Sequence, residues 1–123
     1  MTHQPARRIL IVEDEPLLAL HLEDMLSELG HTVVGQAGRI PAGLQLAQSG
    51  DFDFAILDVN VAGTKSFPIA DILHKRGIPF AFATGYGADG LSETYRDFPI
   101  LQKPYAQYDL ERVIAQVCSG LPR

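Results

Sequence analysis

The sequence predicts an α/β fold, a doubly wound five-stranded parallel sheet with helices on both faces. Three observations predict it. Short apolar runs rich in branched side chains recur along the chain, amphipathic stretches separate them, and the two kinds alternate in β-α order five times. Right-handed crossovers then place helices on either side of a parallel sheet.

The strands come first. Arg8–Val12 (RILIV), Phe54–Val59 (FAILDV) and Pro79–Thr84 (PFAFAT) are nearly continuous apolar runs, the pattern of strands buried on both faces. His31–Gln36 (HTVVGQ) and Phe98–Gln102 (FPILQ) are weaker. Pro99 cannot donate to a ladder, which assigns the last run to a sheet edge.

Between the strands lie the helices. Pro16 suits the first turn of one helix, Leu18, Leu22, Met25, Leu26 and Leu29 fall on one face of it, and Gly30 stops it. A second starts near Pro41, with Ile40, Leu44 and Ala47 facing inward. A third runs over Pro68–Arg76 and ends at Gly77. The last carries Leu110, Val113, Ile114, Val117 and Cys118 on one face. Gly87–Asp97 has two glycines and little apolar face, so a helix there is expected to be short and poorly held.

With 123 residues, 46% hydrophobic and 20% charged, the chain suits one core and leaves no room for a second domain. The net charge of −5 disfavours a grip on nucleic-acid phosphates. Arg7, Arg8, Lys75 and Arg76 are scattered and read as solvated surface. His3, His21, His31 and His74 lack metal-ligand spacing and read as surface or helix-face residues. Cys118 is the single cysteine, which rules out an internal disulfide. No secretory h-region and no membrane-spanning run is present, so the cytoplasm is the expected location.

In open α/β sheets the ligand site lies outside the carboxyl ends of the strands. The polar residues expected there are Glu13 and Asp14 after the first strand, Asp58 at the third, Thr84 at the fourth and Lys103 at the fifth. Three carboxylates in one small site repel unless a cation intervenes, and oxygen donors with open water positions suit Mg²⁺. Asp14 and Asp58 would be direct ligands, Glu13 a ligand through water, and the Asn60 backbone carbonyl a further donor. A neutralised carboxylate can then attack phosphorus, with Asp58 the candidate nucleophile. Lys103 and Thr84 would stabilise the phosphoryl oxygens. Taken singly, Asp14 also reads as a helix cap, Lys103 as a surface lysine in a turn and Thr84 as an ordinary strand residue. The coincidence of all five at strand ends favours the site.

The segments ILIVEDE, AILDVN, FATGY and LQKPY closely resemble those of bacterial two-component receiver domains, over roughly Arg7 to Gly120. The resemblance implies a (βα)5 flavodoxin-like receiver fold with strand order 2-1-3-4-5. It implies Asp58 as phosphoacceptor, Asp14, Asp58 and the Asn60 carbonyl at Mg²⁺ with Glu13 acting through water, Thr84 as switch hydroxyl, Lys103 as phosphate-binding lysine and a cis Lys103–Pro104 peptide. Phe82–Tyr86 (FATGY) resembles the FAT GUY subgroup, which implies a stand-alone receiver and a sensor histidine kinase of the HWE type. Three departures stand out. Ile100 occupies the usual aromatic switch position, with Tyr86 a candidate substitute. The loop VNVAGTKS lacks the family's proline, so its path over the site is open. Gly87–Asp97 is weak, and phosphate beside Thr84 is expected to order it.

The expected function is therefore a phosphoryl-accepting response regulator, not a classical enzyme, whose modification controls the binding of an unknown downstream protein or shuttles phosphoryl groups. A single receiver domain over residues 1–123 (core 7–120) without an output domain is expected, as a monomer, with dimerisation on phosphorylation left open. Two alternatives are a pseudo-receiver interaction scaffold and an aspartate-based phosphatase. The first predicts loss of site residues. The second needs an acid two residues after the nucleophile, where this chain has Asn60. A flavin-binding protein is disfavoured by the acidic first loop.

Overall fold

The computed structural model describes residues 5–85 and 90–119. Among these residues, seven strands and four α-helices follow one another: β1 (Arg8–Val12), α1 (Pro16–Glu28), β2 (Thr32–Ala37), α2 (Ile40–Ser49), β3 (Phe54–Asp58), β4 (Asn60–Val61), β5 (Thr64–Lys65), α3 (Phe67–Arg76), β6 (Phe80–Thr84), β7 (Ile100–Gln102) and α4 (Gln107–Ser119). Five strands form one parallel sheet in the order β2-β1-β3-β6-β7. Counting only these five along the chain, the order is 2-1-3-4-5, the doubly wound receiver-type arrangement that the sequence led us to expect.

Both faces of the sheet are covered, which is why its central strands read as unbroken apolar runs. Side chains alternate across each strand. Leu10, Val12, Ala55, Leu57, Phe80 and Phe82 join one core under α2 and α3. Ile9, Ile11, Phe54, Ile56, Ala81 and Ala83 join the other under α1 and α4. β7 lies at the edge, as Pro99 required.

Three expectations need correction. Leu18 is exposed and Ala19 takes the inward place on α1, because the helix turns its buried face to Ala19, Leu22, Met25 and Leu26. His31 is buried: its Nδ1 accepts a hydrogen bond from the Arg7 backbone N–H at 3.0 Å, and burial pulls its pKa down. Arg8 is exposed but committed, 2.7 Å from Asp51 and 3.1 Å from Asp53.

Between β6 and β7 the described residues contain no α-helix; Glu93–Tyr95 form a 3-10 turn. Aromatic packing holds it. Tyr95 is buried, its ring centroid 5.3 Å from that of Phe82 and 4.9 Å from that of Phe98, and its hydroxyl donates to the Asp71 carboxylate on α3. No described helix is long and apolar enough to cross a membrane.

Candidate phosphoacceptor site

Strand geometry brings the polar residues together. β1 and β3 are neighbours, so Glu13 and Asp14, just beyond β1, meet Asp58 at the end of β3. One carboxylate oxygen from each of the three lies within 4.8 Å of the others. β6 pairs with β3 on its other side and ends at Thr84, which is buried. β7 follows, and Lys103 leaves it with its backbone N–H on the Thr84 carbonyl at 2.9 Å and a cis peptide to Pro104. Lys103 Nζ lies 2.8 Å from Asp58 and 3.6 Å from Glu13.

The electrostatics follow from burial. Glu13 and Asp58 are 5% and 8% exposed. Desolvation pushes both carboxyl groups above the ordinary range, Asp14 adds to the push on Asp58, and the Lys103 ammonium opposes it at both. Burial alone would lower Lys103, but its hydrogen bond and charge contact with Asp58 outweigh that and hold it up. Three carboxylates thus face one ammonium in a partly dry site, a donor set suited to a hard cation.

Asp14 caps no helix. Glu15 is the residue that precedes α1, and the Asp14 carboxylate instead accepts the Ala62 backbone N–H at 3.1 Å. Lys103 is likewise no free surface lysine. A cavity of about 140 Å³ opens above Asp58, lined by Asn60, Lys65, Thr84, Gly85 and Lys103 among others. Ile100 is not part of its lining; it pairs with Phe82 and packs on the core under α2 and α3. Tyr86 lies outside the described residues.

The sequence reading left the path of the loop after Asp58 open. The structure resolves it as a tight antiparallel hairpin in which β4 pairs Asn60 with Lys65 and Val61 with Thr64 of β5. Its two central residues, Ala62 (φ 51°) and Gly63 (φ 85°), both take positive φ, as a type I′ turn demands. Val61 is fully buried and fastens the hairpin to the core. Fully buried Ser66 closes it: its hydroxyl donates to the Asp58 carbonyl at 2.6 Å and its N–H to the Val59 carbonyl at 2.9 Å. The Ala-Gly pair between V-N-V and T-K was the available signal for this hairpin.

Residues 9–115 match the family model described as response regulator receiver domain. The transcriptional regulatory protein PdtaR of Mycobacterium tuberculosis is 35% identical over 108 residues, covering 85% of this chain and 53% of that protein. The phyllosphere-induced regulator PhyR of Methylorubrum extorquens is 32% identical over 115 residues, covering 90% of this chain and 43% of that one. This chain therefore spans about half the length of these curated relatives. The solution structure of SdrG from Sphingomonas melonis Fr1 superposes with a TM-score of 0.81 at 44% identity, covering 91% of this chain and 96% of that one.

Proposed function

Because the chain belongs to the response regulator receiver domain family, we propose that Asp58 accepts a phosphoryl group from a histidine kinase in a two-component pathway. A carboxylate oxygen of Asp58 attacks phosphorus, the O–P bond forms as the N–P bond of the donor phosphohistidine breaks, and the departing imidazole takes up a proton. One observation carries this reading: the buried Asp58 carboxylate opens on a small cavity with Lys103 Nζ at 2.8 Å and Thr84 in its wall. Lys103 balances phosphoryl charge, and Thr84 offers its hydroxyl to a phosphoryl oxygen.

Asp14, Asp58 and the Asn60 backbone carbonyl would hold Mg²⁺, with Glu13 acting through water. When bound, the ion would neutralise the carboxylates and the charge gathered at phosphorus. The crowding of three acids around one ammonium supports that assignment.

The finer reading completes the proposal. The FATGY segment supports grouping the chain with FAT GUY regulators, and on this reading a sensor kinase of the HWE type serves it. It works in the cytoplasm as a single, monomeric receiver module over about residues 7–120, and phosphorylation changes its hold on a downstream protein or passes the phosphoryl group onward.

Intact-protein mass after incubation with acetyl phosphate tests the core of this. A gain of one phosphoryl group that needs Mg²⁺ and is absent in Asp58→Ala is the expected result. No gain under any condition overturns it in favour of a phosphorylation-independent scaffold.

A further inference from the structure

Lys103 is not the one lysine at this cavity. Lys65, to which the sequence reading gave no role, also lines it, beside Asp58, Asn60 and Thr84. The hairpin explains how it comes to be there. Directly paired residues of an antiparallel ladder project to the same face. Asn60 and Lys65 are such a pair, and both border the cavity, whereas Val61 is buried in the core.

The mount is firm on both flanks. Ser66, next in sequence to Lys65, is bonded to the carbonyls of Asp58 and Val59, and the turn is held to the Asp14 carboxylate through the Ala62 N–H. The two lysines differ in their commitments. Lys103 is engaged with Asp58 and Glu13, while Lys65 is exposed and makes no ion pair among the described residues.

An anionic phosphodonor that enters this cavity must approach Glu13, Asp14 and Asp58. Resting on the phosphoacceptor reading above, we propose that Lys65 is a donor-capture residue, a second cation at the cavity mouth that draws the phosphoryl group of the donor toward Asp58. An ammonium is a compact point charge on a flexible stem, suited to catching an incoming anion. Because Lys65 is exposed, its pull acts during the approach and is screened by salt. Hydrolysis of the phosphorylated form uses neutral water, which gains nothing from that attraction, so loading depends on Lys65 more than dephosphorylation does.

The test is the slope of phosphorylation rate against acetyl phosphate concentration, with Mg²⁺, at low and at high ionic strength. Wild type, Lys65→Ala and Lys65→Arg are compared, and the hydrolysis rate of each phosphorylated form is measured alongside. Lys65→Ala should lower the slope roughly fivefold at low salt, the size of an exposed charge interaction with a dianion in water. The deficit should shrink at high salt, Lys65→Arg should restore most of the slope, and hydrolysis should change less than loading. A Lys65→Ala slope equal to wild type at low salt overturns the proposal. So does a loss that is independent of salt and not rescued by arginine, which would mark a structural role for the hairpin. Wild type that takes no phosphoryl group overturns the phosphoacceptor reading itself and this inference with it.

Discussion

Asp53 and Asp58 bracket the same strand, one just before β3 and one at its end, and their surroundings push them in opposite directions. Asp53 meets Arg8 three times: through the backbone N–H at 2.8 Å, the guanidinium Nε at 3.4 Å and Nη2 at 3.1 Å. Those bonds hold its carboxyl below the ordinary range. Asp58 is buried among other acids, and desolvation pushes it up against the opposing pull of Lys103. At the amino end of the strand, acid and base satisfy each other within the fold. At the carboxyl end the fold gathers acids that it does not itself neutralise, and that deficit is what a cation and a phosphoryl group can use.

The sharpest way to break the comparison is to remove each charge in turn. Asp58→Asn should abolish phosphoryl loading and, without Mg²⁺, raise the melting temperature, since it relieves repulsion from Glu13 and Asp14. Asp53→Asn should leave loading intact and lower the melting temperature modestly, because an exposed ion pair contributes little. Thermal unfolding and intact mass read both. A destabilised Asp58→Asn would mean that Lys103 already satisfies the site.

Magnesium supplies the next effect in size. A ligand that binds only the folded state stabilises it by about 1.4 kcal/mol for each tenfold excess over its dissociation constant. Added Mg²⁺ should raise the melting temperature of wild type, and Asp14→Asn should blunt that rise. An equal rise in both proteins would remove Asp14 from the metal site.

Acid acts at two different pH values within the amino end alone, at Asp53 just before β3 and at His31 just before β2. Asp53, held below its unfolded value of 3.8, contributes stability that is complete above that value and is lost as pH falls through its lower folded one. His31 acts at a higher pH. Burial, with the nearby Arg7 charge, lowers its folded pKa below the unfolded 6.5, so the unfolded chain takes up a proton first. Stability should therefore fall as pH drops below about 6.5. His31→Gln, whose amide oxygen can accept the Arg7 N–H and does not titrate, should flatten that fall in urea titrations at several pH values. An unchanged pH profile would show that His31 is not its source.

What could be read from the sequence tracks how each feature is encoded. The sheet was legible because a strand buried on both faces has to be apolar along its whole length, and an acid at the end of such a run, as in FAILD, stands out. The meeting of Glu13, Asp58 and Lys103 then follows from β1, β3 and β7 ending on one side of the sheet. His31 was misjudged because an isolated polar residue gives no sign of its burial, and its partner is a backbone N–H that leaves no mark in the sequence. The hairpin went unassigned because two-residue strands are too short to show a period. Lys65 was missed with it, since only the Asn60–Lys65 register turns that side chain toward the cavity. Within the described part of the weak Gly87–Asp97 stretch, Tyr95 packs on Phe98 close by in sequence and on Phe82 in β6, and the second contact has no local sequence signal.

Backbone strain extends the contrast between the two ends and gives the smallest expected effect. At the amino end of the sheet, Gly30 and Gly77 supply the positive φ that returns the chain from α1 and α3. At the carboxyl end the hairpin places Ala62 at φ 51°, where a side chain costs about 1–2 kcal/mol. Ala62→Gly should remove that cost while adding about 0.5–1 kcal/mol of chain entropy to the unfolded state. The net gain should be about 0.5 kcal/mol, with the N–H to Asp14 retained. Gly77→Ala should do the reverse and cost about 1 kcal/mol. Urea midpoints read both, and equal midpoints for Ala62→Gly and wild type would show that the turn holds no strain. If Ala62→Gly is more stable yet loads phosphate more slowly, the strained turn helps to hold the hairpin over Asp58, and the two ends differ in backbone as they do in charge.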